Sequence, residues 1–205
     1  ATLTAQREAA LGAAAITHDG LIRMRPHAGL TVRRGEVSWD GEALEALLGE
    51  LTVTERALRE GTEVGGKRPT GVVLVENLGA YIDLARPTAG WLVVHVPGWD
   101  VRAAEAVLAW WPRRPAVLFG DLDPNGARIR ARLRQARPDL RWCVPAWWSE
   151  YRERHALPKA WPAGTPLEGA PALVRELAAA GEWLEQEAVV FDPRLPQAMA
   201  EAADP

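Results

Sequence analysis

Three runs of four apolar residues punctuate the middle of the chain: Val72-Val73-Leu74-Val75, Trp91-Leu92-Val93-Val94 and Ala116-Val117-Leu118-Phe119. Unbroken apolar runs of this length read as strands covered on both faces. The segments between them read as helices. One is expected from Asn77 to Leu84. A second runs from Val101 to Trp111, opened by Asp100 and stopped by Pro112. A third spans Asn125 to Ala136, and a fourth strand follows at Leu140 to Val144. The order β-α-β-α-β-α-β predicts an α/β fold, a Rossmann-like parallel sheet with helices on both faces.

The flanks are less regular. Up to residue 40, short β-like pieces (Leu21 to Met24, Leu30 to Arg33, Glu36 to Trp39) alternate with Gly20, Pro26, Gly29 and Gly35. Leu44, Leu47, Leu48 and Leu51 then recur at helical spacing, so one helix is expected from Gly41 to Glu60, ended by a glycine-rich break at Gly61 to Pro69. Beyond the sheet, Pro145 to Pro166 is rich in Trp, Pro and Arg. Helices are expected at Glu168 to Ala179 and Glu182 to Val190, with a frayed end from Asp192 to Pro205. The expected division is a β-hairpin and helix segment at 1–66, readable as the remnant of a larger N-terminal region, a main domain at 67–191 and a tail at 192–205.

Composition changes this picture only in places. The longest uncharged apolar stretch, Thr88 to Trp99, has 12 residues and contains Pro97, whereas a membrane span needs ~20. The single cysteine, Cys143, cannot form an internal disulfide, which suits a reducing cytoplasm. The formal net charge is −3, which by itself speaks against nucleic acid. Its distribution does not: residues 1–111 carry −3, residues 112–159 carry +6 and residues 160–205 carry −6. Of 24 basic residues only Lys67 and Lys159 are lysines. That bias is a codon signature, so arginine content alone says little about DNA.

In a parallel sheet, ligands gather beyond the carboxyl ends of the strands. The first strand ends in Glu76-Asn77, the second in His95-Val96-Pro97-Gly98, and the third in Gly120-Asp121-Leu122-Asp123-Pro124-Asn125-Gly126. Asp121 and Asp123, two apart in extended chain, can point the same way, roughly 6–7 Å apart. Such a pair repels unless a cation lies between, and oxygen donors suit Mg2+ or Mn2+. The competing reading of D-x-D-P-N-G is a turn and helix start with Asp123 or Asn125 as N-cap. Glu76, on a neighbouring strand end, favours the metal.

The order of Val72-Val73-Leu74-Val75-Glu76-Asn77, Gly98 and Phe119-Gly120-Asp121-Leu122-Asp123-Pro124-Asn125-Gly126 resembles Toprim domains, including that of the DNA-cleaving half of topoisomerase VI. With Glu76-Asn77, Gly120 and Leu184-Glu185-Gln186-Glu187, it is most similar to the C-terminal Toprim region of the JetD family, the nuclease components of bacterial Wadjet anti-plasmid systems. The resemblance covers about residues 71–190. It implies a Mg2+- or Mn2+-dependent DNA endonuclease. Asp121 and Asp123 would be ligands, Glu76 a ligand or general acid/base, and Glu185 and Glu187 outer carboxylates. It also implies double-stranded DNA, an SMC-type complex and a second copy of the chain as partners. Topoisomerase VI attacks DNA with a tyrosine on a preceding domain. Neither Tyr81 nor Tyr151 matches that residue, which leaves water as the nucleophile.

Further features compete with plainer readings. Arg128, Arg130, Arg132 and Arg134 flank an expected apolar stripe of Ile129, Leu133 and Ala136 and would face solvent, as DNA-phosphate contacts or merely solvated charge. Trp147, Trp148 and Tyr151 read as packing before base stacking, and His95 as a structural histidine. Gly61 to Arg68 nearly spells a phosphate-binding loop. It lacks the final Ser or Thr and leads into a strand rather than a helix, so nucleotide hydrolysis is set aside.

Overall fold

The computed structural model describes residues 20–85, 90–98 and 100–203. Residues 1–19 of the expected N-terminal segment, residues 86–89 with Thr88, Trp99 and the last two residues lie outside the described residues. The expected strands form at β6 (Val72–Val75), β7 (Leu92–His95), β8 (Ala116–Phe119) and β9 (Arg141–Trp142). They lie parallel in the order β7-β6-β8-β9, flanked by helices. All residues of β6, β7 and β8 are buried, which is why their sequences carry no polar alternation. The connecting helices are α3 (Leu78–Asp83), α4 (Arg102–Trp110) and α5 (Pro124–Ala136).

The N-terminal segment contributes to the same sheet. β1 (Leu21–Arg25) pairs antiparallel with β7, and β4 (Leu51–Thr54) with β1, making six strands. The expected helix from Gly41 to Glu60 is therefore three elements: α1 (Gly41–Leu48), β4 and α2 (Glu55–Arg59). Gly49, at φ 84°, ends α1 in the left-handed conformation. Leu51-Thr52-Val53-Thr54, mostly β-branched, then finds an open sheet edge. Leu51 is buried while Leu47 and Leu48 are exposed, so the leucine spacing did not mark one helical face. The glycine-rich break is also structured. β5 (Thr62–Gly66) joins β2 (Leu30–Arg34) and β3 (Val37–Asp40) in a small second sheet.

The C-terminal third departs from expectation in two places. α6 (Trp148–His155) and α7 (Ala172–Ala180) are helices, but no helix spans 182–190. That stretch is β11 (Glu182–Trp183), paired with β10 (Leu157–Pro158), followed by a 3-10 turn at Gln186–Ala188. Residues expected to fray form α8 (Leu195–Ala203), whose Leu195 and Met199 are fully buried against the β8–β9 side of the sheet. Among the described residues, no helix is long and apolar enough to cross a membrane.

Candidate metal centre at the switch point of the sheet

From β6 the chain passes through α3 to β7 on one side, and from β8 through α5 to β9 on the other. Right-handed crossovers running in opposite directions place α3 and α5 on opposite faces. A crevice opens where the direction reverses, between the carboxyl ends of β6 and β8. Val75 is in register with Phe119, and Glu76 N–H donates to Phe119 O at 3.1 Å. Glu76 thus stands beside Gly120. A Cβ on Gly120 would come within 2.8 Å of Glu76 Oε2, so the glycine is what lets this carboxylate lie across the neighbouring strand end.

The D-L-D-P-N-G turn places each residue for a physical reason. Leu122 is buried and exchanges backbone hydrogen bonds with Leu184. Alternation then sends Asp121 and Asp123 away from that contact. Asp123 is the N-cap of α5, its Oδ1 accepting from Gly126 N–H at 2.7 Å, with Pro124 in the first turn. A Cβ on Gly126 would fall 2.1 Å from the backbone oxygen of Asp121, so only glycine fits. The helix-start reading holds, with Asp123 as the cap, and the same turn presents two carboxylates. Asn77 plays the matching part after β6, capping α3 through Gly79 and Ala80 N–H.

These carboxylates feel one another. Burial, then the charges of Asp121 and Asp123, pushes Glu76 up to about 8. Burial also pushes Asp121 up to about 6, with Glu187, Asp123 and Glu185 adding to the rise and Gln186 N–H opposing it. Glu187 is raised by burial and by Glu185. Glu76, Asp121, Asp123, Glu185 and Glu187 therefore form one electrostatic cluster, although Glu185 itself is exposed.

Two residues of the site have no role assigned from sequence. Gln186, fully buried, donates its N–H to Asp121 Oδ1 at 2.9 Å. Its amide, oriented by its partners, donates to Phe119 O at 3.0 Å and accepts from Asn77 N–H at 2.5 Å, tying the ends of β6 and β8 together. Lys159 places its ammonium 2.5 Å from Asp123 Oδ2 and 4.1 Å from the centre of the Trp183 ring. The scarcity of lysine was the only signal for it.

The donor set suits a hard cation. All the donors are oxygens, Glu76 Oε2 and Glu187 Oε2 are buried without a hydrogen-bond partner, and an ammonium already sits on Asp123. In the orientation the side chains hold, however, no three histidine, cysteine, aspartate or glutamate side chains among the described residues close around one point. Asp121 is turned to Gln186 N–H, and Asp123 is divided between its cap and Lys159.

The arginine row is only partly as expected. Arg132 is exposed, and Arg128 and Arg134 are half-buried. Arg130 is buried, donating to Glu168 O at 3.2 Å and Gly169 O at 2.6 Å, so it is not a solvent-facing phosphate contact. Ala136 is exposed, and the buried face of α5 instead includes Gly126, Ala127, Ile129 and Leu133. Trp148 is fully buried edge-on to Phe119, and Trp147 lies under Arg194 at 4.4 Å. His95 is buried beside Tyr81, and burial holds it below its usual range. Cys143 is buried and its thiol is pushed up to about 12.

The family profile described as Wadjet protein JetD, C-terminal, matches residues 29–147. The match takes in β2 to β5, which the sequence resemblance left unplaced, and all of Glu76, Asp121 and Asp123. It ends before Lys159 and Gln186. No curated protein gave a significant match.

Proposed function

The chain belongs to the Wadjet JetD C-terminal family, and from that premise we propose that it is a divalent-cation-dependent DNA endonuclease of the Toprim type. One observation carries the proposal: two strand ends bring Glu76, Asp121 and Asp123 to the switch-point crevice, where burial and neighbouring carboxylate charges raise Glu76 and Asp121, a penalty that a cation would relieve. Asp121 and Asp123 would hold Mg2+ or Mn2+, Glu76 completing the set or handling the proton, with Glu185 and Glu187 in outer positions. The bound ion would polarise the phosphodiester.

The chain's own residues do the rest. Glu76, raised by burial above the ordinary glutamate range, would be a base strong enough, once a cation offsets the neighbouring charges and ionises it, to accept a proton from an attacking water and return it to the leaving oxygen. Water is the fitting nucleophile. Tyr81 is buried, and the Tyr151 hydroxyl donates to Asp192 at 2.8 Å. Arg128, Arg132 and Arg134 supply positive charge along α5 for the backbone of double-stranded DNA. Family membership supports work within a Wadjet assembly of several components, with an SMC-type complex and a second copy of the chain as the proposed partners and plasmid DNA as the target.

A second reading, a DNA- or partner-binding module that does not cut, draws on the unclosed donor set and the Lys159–Asp123 pair. Plasmid nicking with Mg2+ or Mn2+ decides. The wild-type chain is expected to nick, and Asp121→Ala to lower the rate at least ~100-fold. Equal cutting by both sinks the assignment, and plasmid binding without cutting by either establishes the second reading.

A further inference from the structure

Asp123 has one free oxygen and one occupant for it. Oδ1 is committed to the cap of α5, which leaves Oδ2 to any cation, and Lys159 Nζ stands 2.5 Å from it. The lysine is delivered from a separate element. Its N–H donates to Gly181 O at 2.8 Å, just past β10, and β10 pairs with β11. Its ammonium touches two partners at once, Asp123 and the face of Trp183. The Asp123 carboxylate is 4% exposed, the lysine side chain 33%. One end of the pair is therefore fixed in the protein and the other reaches in from solvent.

We propose that Lys159 is a displaceable internal counter-ion, neutralising Asp123 in the cation-free protein and competing with the divalent ion for Asp123 Oδ2. This rests on the reading of the crevice as a metal centre. With Oδ1 engaged in the helix cap, a divalent ion approaching Oδ2 meets the Lys159 ammonium there, and two cations on one carboxylate oxygen repel. The Trp183 face, already in contact with the ammonium, is a partner it can keep when Asp123 is taken. A compact lysine suits this exchange. An arginine, planar and more weakly hydrated than an ammonium, would return to water less readily and yield less, in a chain that otherwise uses arginine for 22 of 24 basic positions. Once displaced, the ammonium lies beside a site built for a polyanion and is available to a substrate phosphate.

The test is Mn2+ binding by calorimetry on the full chain, with thermal melts in EDTA. Lys159→Met is expected to bind Mn2+ roughly five- to tenfold tighter than wild type, the worth of a partly exposed ion pair, while melting lower in EDTA. Lys159→Arg is expected to bind Mn2+ more weakly than wild type. A merely structural salt bridge would lower the melting temperature of the methionine variant without tightening Mn2+ binding. Unchanged or weaker binding by that variant overturns the proposal while the metal centre stands. Should the methionine variant fail to fold, wild-type or tighter affinity in the arginine variant overturns it equally. If wild type binds no Mn2+, the metal centre falls and this inference with it.

Discussion

Glu76 carries a conflict between burial and charge that pH can expose. In the cation-free protein its carboxyl holds a proton up to about pH 8, whereas an ordinary glutamate gives it up near 4.5. The folded chain therefore binds more protons than the unfolded chain across that window, and stability falls as pH rises through it. Asp121, raised to about 6, adds to the lower part. Glu76→Gln keeps the shape and removes the charge. In EDTA, its melting temperature should decline less between pH 6 and 8 than that of wild type. Above pH 8 it should lie higher by about 2–8 °C, equivalent to roughly 1–2 kcal/mol. Parallel curves for the two proteins would show that Glu76 ionises normally.

Two elements with the same design, a strand that ends in a capping residue and turns straight into a helix, bring the carboxylates together. Asn77 closes the turn after β6 and Asp123 the turn after β8. The 3-10 turn at Gln186–Ala188 spans the gap between them. Gln186 is the clasp: its side chain satisfies one backbone group from each turn, and its N–H steadies Asp121. Gln186→Leu would fill the same space and leave Phe119 O and Asn77 N–H unpaired in the interior. Each such group costs about 1–3 kcal/mol. The melting temperature should fall by roughly 5–15 °C, by circular dichroism, and a melt matching wild type would show that the clasp is dispensable.

At the scale of the molecule, the crevice depends on parts far from it in sequence. The edge strands β1 and β4 extend the sheet on one side, and α8 covers β8 and β9 on the other. Cutting the chain after Arg194 removes α8 and exposes the surface that buries Leu195 and Met199. At about 1.5–3 kcal/mol for each side chain, the loss is roughly 3–6 kcal/mol. The shortened chain should melt at least ~10 °C lower or unfold without a cooperative transition. A melt within 2 °C of the full chain, taking ~2 °C as below the effect of one kcal/mol, would show that α8 contributes nothing.

What could be read without coordinates, and what could not, divides along the range of the forces involved. Local rules suffice for β6 to β8 and α3 to α5. An unbroken apolar run has one good solution, a strand covered on both faces, and Asp-Pro-x-Gly after it has one good solution, a capped helix start. The strand ends then place Glu76, Asp121 and Asp123 at one edge by topology alone. Leu51 to Thr54 forms a strand against its helical leucine spacing, because a vacant sheet edge competes for the same residues and only pairing with β1 settles which wins. Arg130 looked solvent-facing because nothing nearby in sequence shows that the carbonyls of Glu168 and Gly169 will meet it. Lys159 and Gln186 lie more than 30 residues from the carboxylates they hold. The sequence by itself determined the alternating core and the three acidic strand ends, since those follow from neighbours along the chain. Tertiary structure alone decided which cation answers Asp123 and which amide clasps the turns, because a buried polar group takes whatever partner the fold brings within hydrogen-bond reach.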